Sequence, residues 1–316
     1  MSTAPARRET IRLTAPAEPA LALQVQRPHA GALGDVVYVH GSTFGADLSI
    51  FCRFDGRSWA DAMNAAGLTV WGFDFAGYGA SERYRQDSAL PVGRIDAAAA
   101  QLQRVVAEVR ARSGGAQLNL VSHSWGAAVA ARYAATCPQD VGALVLFAPI
   151  TVRAADACAP TGYIPPAAAC APAHYRLTLW AQYRRFVEDV PRGRPQPLDE
   201  AHFQAWGEAF LATDPGAGKR MPPSVLTPGG PQADVQALWS GQALYDPACI
   251  AAPTLLVRGE WDTVCTGADA HQLLRALGSA RKSAVTIERA THLVHLESQR
   301  GLLYNAVNTF LQRSAT

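Results

Sequence analysis

Ser124 stands in a local pattern that suits a nucleophile. The segment Ser-His-Ser-Trp-Gly at 122–126 lies between an apolar run that ends at Val121 and a helical pattern that begins at Trp125. Small residues two positions before and two after Ser124 fit a sharp strand-to-helix turn, which projects the serine Oγ from the sheet. The Trp125 amide would then lie at a helix N-terminus, where it can stabilise a negative oxygen. The alternative is an ordinary turn in which Ser124 only caps the helix.

Two histidines and two carboxylates late in the chain could complete such a site. His292 follows a strand-like run that ends at Ile287, and His295 is the alternative base. An imidazole suits this role because its pKa lies near neutral pH, so that it can accept a proton and return it. Asp262 follows the preceding strand-like run and is the favoured partner of the imidazole, while Glu260 is its competitor.

The run His-Gly-Ser at 40–42 directly follows another apolar, strand-like segment. Its glycine lets the backbone approach a substrate closely, and the amide of Ser42 can then face a developing negative oxygen. Ser42 and Trp125 are therefore the two expected amide donors, with Thr43 as the alternative to Ser42. The histidine of this run has a second interpretation as a buried structural residue.

The elements that must position these residues alternate between strand-like and helical patterns. Such alternation is typical of βαβ units and predicts a mostly parallel sheet with helices on both faces. The predicted strands are 35–39, 68–73, 117–121, 143–147, 253–257 and 283–287, and the predicted helices are 58–66, 94–112, 125–135 and 301–312.

Taken together, these motifs resemble those of the α/β-hydrolase superfamily. The nucleophile elbow of that family reads G-x-S-x-G, and this chain departs from it at the first position, which is Ser122. The run at 40–42 is similar to the family's H-G-x oxyanion loop. Asp-Phe-Ala-Gly-Tyr-Gly-Ala-Ser at 74–81 resembles its D-x-x-G-x-G-x-S turn, to which we assign a structural role.

The resemblance implies an α/β-hydrolase fold and a serine hydrolase in which Ser124, Asp262 and His292 follow the nucleophile, acid, base order of this fold. It also implies an acyl-enzyme whose oxyanion is held by the amides of Ser42 and Trp125. We expect the substrate to be a carboxylic ester of a small, largely apolar compound. The alternatives are an acyltransferase, thioesterase or cyclase that uses the same triad, and a non-catalytic ligand receptor on the same scaffold.

The stretch 151–245 interrupts the strand and helix alternation. It is rich in proline and contains no convincing strand, but 175–188 and 199–211 have helical patterns. We interpret it as a helical cap, or lid, inserted into a core of residues 1–150 and 246–316. A partly ordered linker is the alternative, which the many aromatic residues of the stretch disfavour.

Composition favours a small molecule as the partner rather than a nucleic acid or a membrane. The 28 Lys and Arg nearly cancel the 26 Asp and Glu, and the sequence contains no run of like charges. The N-terminal residues lack the apolar stretch of a secretory signal, so a cytoplasmic enzyme is expected.

The six cysteines form no C-x-x-C pair, and we expect neither a metal nor another cofactor. Cys158 and Cys170 are spaced so that a disulfide is conceivable, but a reducing compartment favours free thiols.

Overall fold

The computed structural model describes residues 7–29, 31–153 and 171–314. The strands are β1 (Arg8–Ala15), β2 (Glu18–Gln26), β3 (Gly34–Val39), β4 (Leu68–Phe73), β5 (Leu118–His123), β6 (Val141–Phe147), β7 (His174–Thr178), β8 (Ser224–Pro228), β9 (Thr254–Gly259) and β10 (Lys282–Ile287). The helices are α1 (Trp59–Ala65), α2 (Ile95–Arg112), α3 (Trp125–Thr136), α4 (Leu179–Val187), α5 (Glu200–Ala212), α6 (Gly230–Trp239), α7 (Gly267–Ala276) and α8 (Arg300–Ser314).

Eight of the strands form one sheet in the order β1-β2-β4-β3-β5-β6-β9-β10. The pairs from β4 to β10 are all parallel, whereas β1 pairs with β2, and β2 with β4, in antiparallel fashion. The six predicted strands are therefore confirmed as the parallel part of the sheet. Their carboxyl ends lie at one edge, which is where open α/β sheets place their ligand sites.

Helices cover both faces of this sheet. The unit β3–α1–β4 and the unit β5–α3–β6 step in opposite directions along the sheet. Because parallel crossovers are right-handed, the helices α1 and α3 lie on opposite faces. Contacts agree with this placement, since α1 contacts α8 and α2 contacts α3. The central strands β4, β5 and β6 are buried along most of their length, and the β6 side chains from Leu144 to Phe147 are fully buried.

The N-terminal hairpin β1–β2 and helix α7 were not predicted from the sequence. In β1 the side chains of Ile11 and Leu13 alternate with exposed polar residues, which is the period of a half-buried strand. That pattern is short and lies among charged residues. It becomes a strand because β2, which is buried from Leu21 to Gln26, offers it a long antiparallel partner.

The expectation that 151–245 contains no strand was wrong. Strands β7 and β8 form a separate two-stranded antiparallel sheet in this range. The helix predicted from residue 175 therefore begins only at Leu179, where the Thr178 hydroxyl accepts a hydrogen bond from the Ala181 amide and caps it. The strands are five residues each and pair across 45 intervening residues, so no local pattern announces them.

Helices α4 and α5 contact each other, and their Phe186, Phe203, Trp206 and Phe210 share one buried cluster with Phe44 from the loop after β3. Helix α6 differs, because it contacts α2 and α3 on the sheet. There the buried Asp234 carboxylate accepts hydrogen bonds from Arg94 Nε at 2.6 Å and from the Ile95 amide at 2.7 Å. The division of the chain into a core and a cap at residues 151 and 245 stays a prediction.

Cys158 and Cys170 lie outside the described residues, so their pairing stays a prediction. Among the helices of the described part, none combines the length and the apolar character that crossing a membrane requires.

Candidate active site

The turn between β5 and α3 holds Ser124 in a strained backbone conformation. Its φ is 57° and its ψ is −124°, a region that residues other than glycine rarely adopt. Close packing enforces the turn, because a Cβ atom on Gly126 would lie 2.1 Å from the carbonyl oxygen of His40. Only glycine fits at position 126, as the sequence motif suggested.

Ser122 occupies the position where the family motif has glycine. It is fully buried, and its hydroxyl donates a 2.7 Å hydrogen bond to the carbonyl oxygen of Val145 on the neighbouring strand β6. The larger side chain is therefore accommodated within the sheet, and the departure from the motif leaves the turn intact.

The structure brings Ser124, His292 and Asp262 together from three different strand ends. His292 Nε2 lies 2.9 Å from Ser124 Oγ, and His292 Nδ1 lies 3.0 Å from Asp262 Oδ2. The three residues are 7%, 4% and 3% exposed, respectively. A hydroxyl, an imidazole and a carboxylate in hydrogen-bonded succession are the arrangement of a Ser-His-Asp triad.

The Asp262 carboxylate is held in its ionised form. Its Oδ1 accepts hydrogen bonds from the amides of Val264 at 2.9 Å and Cys265 at 2.8 Å. Burial by itself would raise the pKa of Asp262, but the electrostatic attraction and the hydrogen bond of His292, together with the Cys265 amide, outweigh burial and lower that pKa. Since an ionised carboxylate can only accept, Nδ1 of His292 carries the proton of their hydrogen bond, and Nε2 is free to accept from Ser124.

The two competing residues occupy other environments. Glu260 is exposed, and its carboxylate accepts a hydrogen bond from the Arg289 amide at 2.8 Å. His295 is buried beside the rings of Phe44 and Phe147, and neither of its ring nitrogens has a hydrogen-bond partner within the described residues. Burial lowers the pKa of His295 to about 3, so this ring is neutral. His292 rather than His295 reaches the serine.

The loop after β3 passes directly over Ser124. A Cβ atom on Gly41 would lie 3.3 Å from the Cβ atom of Ser124, so glycine permits this approach. The Ser42 carbonyl accepts a 2.7 Å hydrogen bond from the Tyr78 hydroxyl, which anchors the loop. Ser42 and Thr43 both line the cavity above Ser124, so either amide stays a candidate donor beside that of Trp125.

His40 is buried and has a structural role, which agrees with the second interpretation of this histidine from the sequence. Its Nε2 accepts a 2.9 Å hydrogen bond from the Phe75 amide, so Nδ1 donates to the Gly41 carbonyl at 2.7 Å. Burial lowers the pKa of His40 to about 4, which keeps the ring neutral. The ring therefore connects the loop at 40–42 with the loop that follows β4.

The segment 74–81 has geometry that fits the structural role assigned to it. The two carboxylate oxygens of Asp74 accept hydrogen bonds from the amides of Ala46 at 2.8 Å and Ala80 at 3.0 Å. Gly79, whose φ is 46°, lies so close that an added Cβ would be 2.1 Å from the Asp74 carboxylate. This carboxylate joins two loops beside the site. Among the described residues it makes no hydrogen bond to Ser124.

Two residues that support the site were missed by the sequence reasoning. Nε2 of His123 lies 3.1 Å from the carbonyl oxygen of His292. The His123 ring stacks on that of Phe147, with 4.6 Å between the ring centroids. Asp234 accepts a 3.1 Å hydrogen bond from Trp125 Nε1. His123 could have been found from its place beside the nucleophile, whereas no local signal marks Asp234, which is more than a hundred residues away.

A cavity of about 370 Å³ lies above the three residues. Ser124, His292 and Ser42 form part of its floor, and apolar side chains such as Phe44 and Trp239 form part of its walls. Helix α4 closes another side with polar residues. A volume of this size matches a small-molecule site rather than a groove for a macromolecule.

Comparison with known proteins agrees with this geometry. Residues 36–305 match the model of the alpha/beta hydrolase family. No curated protein matches the sequence at a significant level.

Several solved structures share the fold at low sequence identity. A monoacylglycerol lipase from Paleococcus ferrophilus has a TM-score of 0.59 at 18% identity, with 92% of this chain and 99% of the lipase covered. An esterase from Thermogutta terrifontis has a TM-score of 0.57 at 19% identity over 98% and 100% of the two chains. An esterase from Exiguobacterium antarcticum has a TM-score of 0.62 at 16% identity over 96% and 98%. The chain belongs to the α/β-hydrolase family.

Proposed function

We propose that the protein is a serine esterase that cleaves a carboxylic ester through an acyl-enzyme on Ser124. The observation that carries this proposal is the 2.9 Å approach of His292 Nε2 to Ser124 Oγ, at the base of a cavity. The family membership and the esterases and lipase among the similar structures support hydrolysis of an acyl bond.

In the first half of the reaction, His292 Nε2 takes the Ser124 proton while Oγ attacks the carbonyl carbon of the ester. The carbonyl oxygen becomes negative and is held by the amide of Trp125 and by that of Ser42 or Thr43. The C–O bond to the alcohol then breaks, and the imidazolium returns its proton to the departing oxygen. The products of this half are the free alcohol and the acyl-enzyme.

Water completes the reaction by the same route. His292 takes a proton from a water molecule while the water oxygen attacks the acyl carbon. The imidazolium then returns that proton to Ser124 Oγ as the C–Oγ bond breaks and the acid departs. The ionised Asp262 holds the imidazole in the correct tautomer and stabilises its positive charge in both halves. A second acceptor, such as an alcohol or a thiol, could replace water without any change in the triad.

Helix α4 and its neighbours act as a cap that covers the reacting groups. The cap excludes bulk water from the cavity and strengthens the electrostatic effect of the amide donors. This role agrees with the near-complete burial of the triad.

Replacing Ser124 with alanine tests the proposal directly. The S124A variant should hydrolyse 4-nitrophenyl esters with a kcat lower by about a millionfold, because the nucleophile is lost. Ser122→Ala is the matched control, since it removes a hydroxyl two residues away that binds only the Val145 carbonyl. Wild-type turnover by S124A would refute the proposal. Analysis of the products with added alcohols or thiols would reveal acyl transfer in place of hydrolysis.

A further inference from the structure

The cavity above Ser124 has an apolar side and a polar side. Phe44, Ile150, Val235 and Leu293 are among the apolar residues that line it. Helix α4 lines it instead with Gln182, Arg184 and Arg185, in addition to one alanine, and Glu188 directly after the helix lines it too. A cavity meant only for hydrocarbon would not place these polar groups against it, because their desolvation is unfavourable.

Gln182 stands on the buried side of α4. It is 1% exposed, and the only other buried residue of this helix is Phe186, one turn further along. The side-chain Nε2 of Gln182 has no acceptor anywhere in the described part of the chain. An unsatisfied buried donor costs free energy, and this one belongs to a residue that lines the cavity, where a ligand can supply an acceptor.

Arg185 provides a second donor without a partner. Its Nη1 and Nη2 donate to the carboxylates of Glu188 and Asp189, but its Nε is buried and meets no acceptor among the residues described. Residues three apart lie on the same side of a helix, so Gln182 and Arg185 are neighbours on α4. Gln182 and Arg185 both line the cavity, and each carries one buried donor without an acceptor among the described residues.

The position of Arg185 is fixed with respect to the triad. Asp189, which binds the guanidinium, also accepts a hydrogen bond from the hydroxyl of Thr263. Thr263 directly follows Asp262 in the chain. Any group that binds the two donors is thereby held at a defined place relative to the reacting carbonyl.

Charge in this wall is balanced. Glu188 and Asp189 both bind Arg185, and Arg184 Nη2 lies 3.7 Å from Glu188 Oε2. The two positive side chains are therefore offset by two carboxylates, and a further carboxylate from a ligand would meet Glu188 and Asp189 at close range. The wall suits a neutral acceptor better than an anion.

We propose that Gln182 and Arg185 recognise a neutral oxygen acceptor, such as a ketone, amide or ether oxygen, in the acyl or alcohol portion of the ester. This inference rests on the proposed esterase function and names its substrate class. It replaces the expectation of a largely apolar substrate by an ester with an apolar part and a second, uncharged oxygen function.

The test compares esters that differ only in that oxygen. One series contains 4-nitrophenyl esters of straight-chain acids beside their oxo analogues, with the ketone moved along the chain. A second series places the ketone in the alcohol of acetate esters and follows acid release, which separates recognition of the acyl portion from recognition of the alcohol. A third contains esters with a terminal carboxylate. The expected result is a kcat/KM about tenfold higher for the best oxo ester than for its methylene analogue, the size of one well-formed hydrogen bond.

The Q182M variant tests the residue. Methionine has a similar volume but no donor, so the ratio of kcat/KM for the oxo and methylene esters should fall to about one. Gln182→Glu, which replaces the amide donor by an acceptor, should abolish the preference as well. Gln204→Met is the matched control, because it makes the same change on the exposed side of α5 and should keep the wild-type ratio.

Several outcomes would overturn the inference. These are an equal kcat/KM for oxo and methylene esters at every position, a preference that survives in Q182M, or a preference for the carboxylate series. Failure of the esterase proposal is distinct, because no ester in any series would then be hydrolysed in a Ser124-dependent manner.

Discussion

The floor of the cavity and the wall formed by α4 differ in how their polar groups are satisfied. On the floor, Asp262 binds two backbone amides and His292, and His292 binds Ser124. On the wall, Gln182 Nε2 and Arg185 Nε find no acceptor within the described chain. The hydrogen-bonded succession of Ser124, His292 and Asp262 is complete before a substrate binds, whereas Gln182 and Arg185 keep donors that a ligand can satisfy. We infer that the sheet fixes the chemistry and the cap selects the substrate.

After the loss expected for S124A, the largest effect on activity is expected from a change of the acid, Asp262. Asp262→Asn should lower kcat by about ten-thousandfold with little change in fold, because an amide no longer enforces the tautomer in which His292 Nε2 accepts the serine proton. Steady-state kinetics on a 4-nitrophenyl ester measure this. Glu260→Gln is the control and should retain wild-type kinetics, since within the described residues that carboxylate is bound by the Arg289 amide and not by His292. Equal losses in the two variants would contradict the assignment.

Gly126, in the turn after Ser124, and Gly218, in the stretch 151–245, should respond differently to an added methyl group. Gly126→Ala should lower the free energy of unfolding by about 3 kcal/mol or prevent folding, because its Cβ would lie 2.1 Å from the His40 carbonyl oxygen. Gly218→Ala should be nearly neutral, because a Cβ there has no atom within 4 Å. Chemical denaturation measures both. Similar stabilities for the two variants would show that the elbow is not tightly packed.

Glu297, which lies beside His292, gives the stability of the protein a pH dependence. Its carboxylate accepts hydrogen bonds from the amide and the hydroxyl of Thr291, beside His292, while burial raises its pKa from 4.5 to about 7. The native state therefore holds a proton that the unfolded chain loses between these two pH values, so the stability of the protein falls as pH rises through this window. Glu297→Gln should remove on the order of 3 kcal/mol of that fall. Denaturation at pH values on both sides of the window measures it, and an unchanged slope would contradict the account.

The smallest expected effect concerns the wall. Gln182→Met should raise the free energy of unfolding by about 1 kcal/mol in the absence of substrate, because it removes an unsatisfied buried donor. Thermal unfolding beside Gln204→Met measures the difference. A marked loss of stability in Q182M would mean that this amide serves the fold rather than the ligand.

The site could be predicted from the sequence where its residues lie in short motifs at strand ends. Ser124, Asp262 and His292 each follow an apolar run, and parallel strands bring their carboxyl ends to one edge of the sheet. Gly126 and Gly41 could likewise be read locally, because a tight turn requires a small residue.

Contacts between distant segments could not be predicted in this way. Asp234 binds Trp125 Nε1 only because α6 packs on α3, and β7 becomes a strand only through its pairing with β8. The missing acceptor of Gln182 is a property of the folded cavity, and no residue pattern encodes it. Tertiary packing thus decided the parts of the molecule that local propensity left open.

The central claim is that Ser124 is a nucleophile activated by His292, and covalent labelling tests it most directly. A fluorophosphonate probe should attach to Ser124 alone, as located by mass spectrometry of the digested protein. Labelling should persist in Ser122→Ala and disappear in Ser124→Ala. Attachment of the probe at another serine, or its complete absence from a folded wild-type protein, would contradict the account.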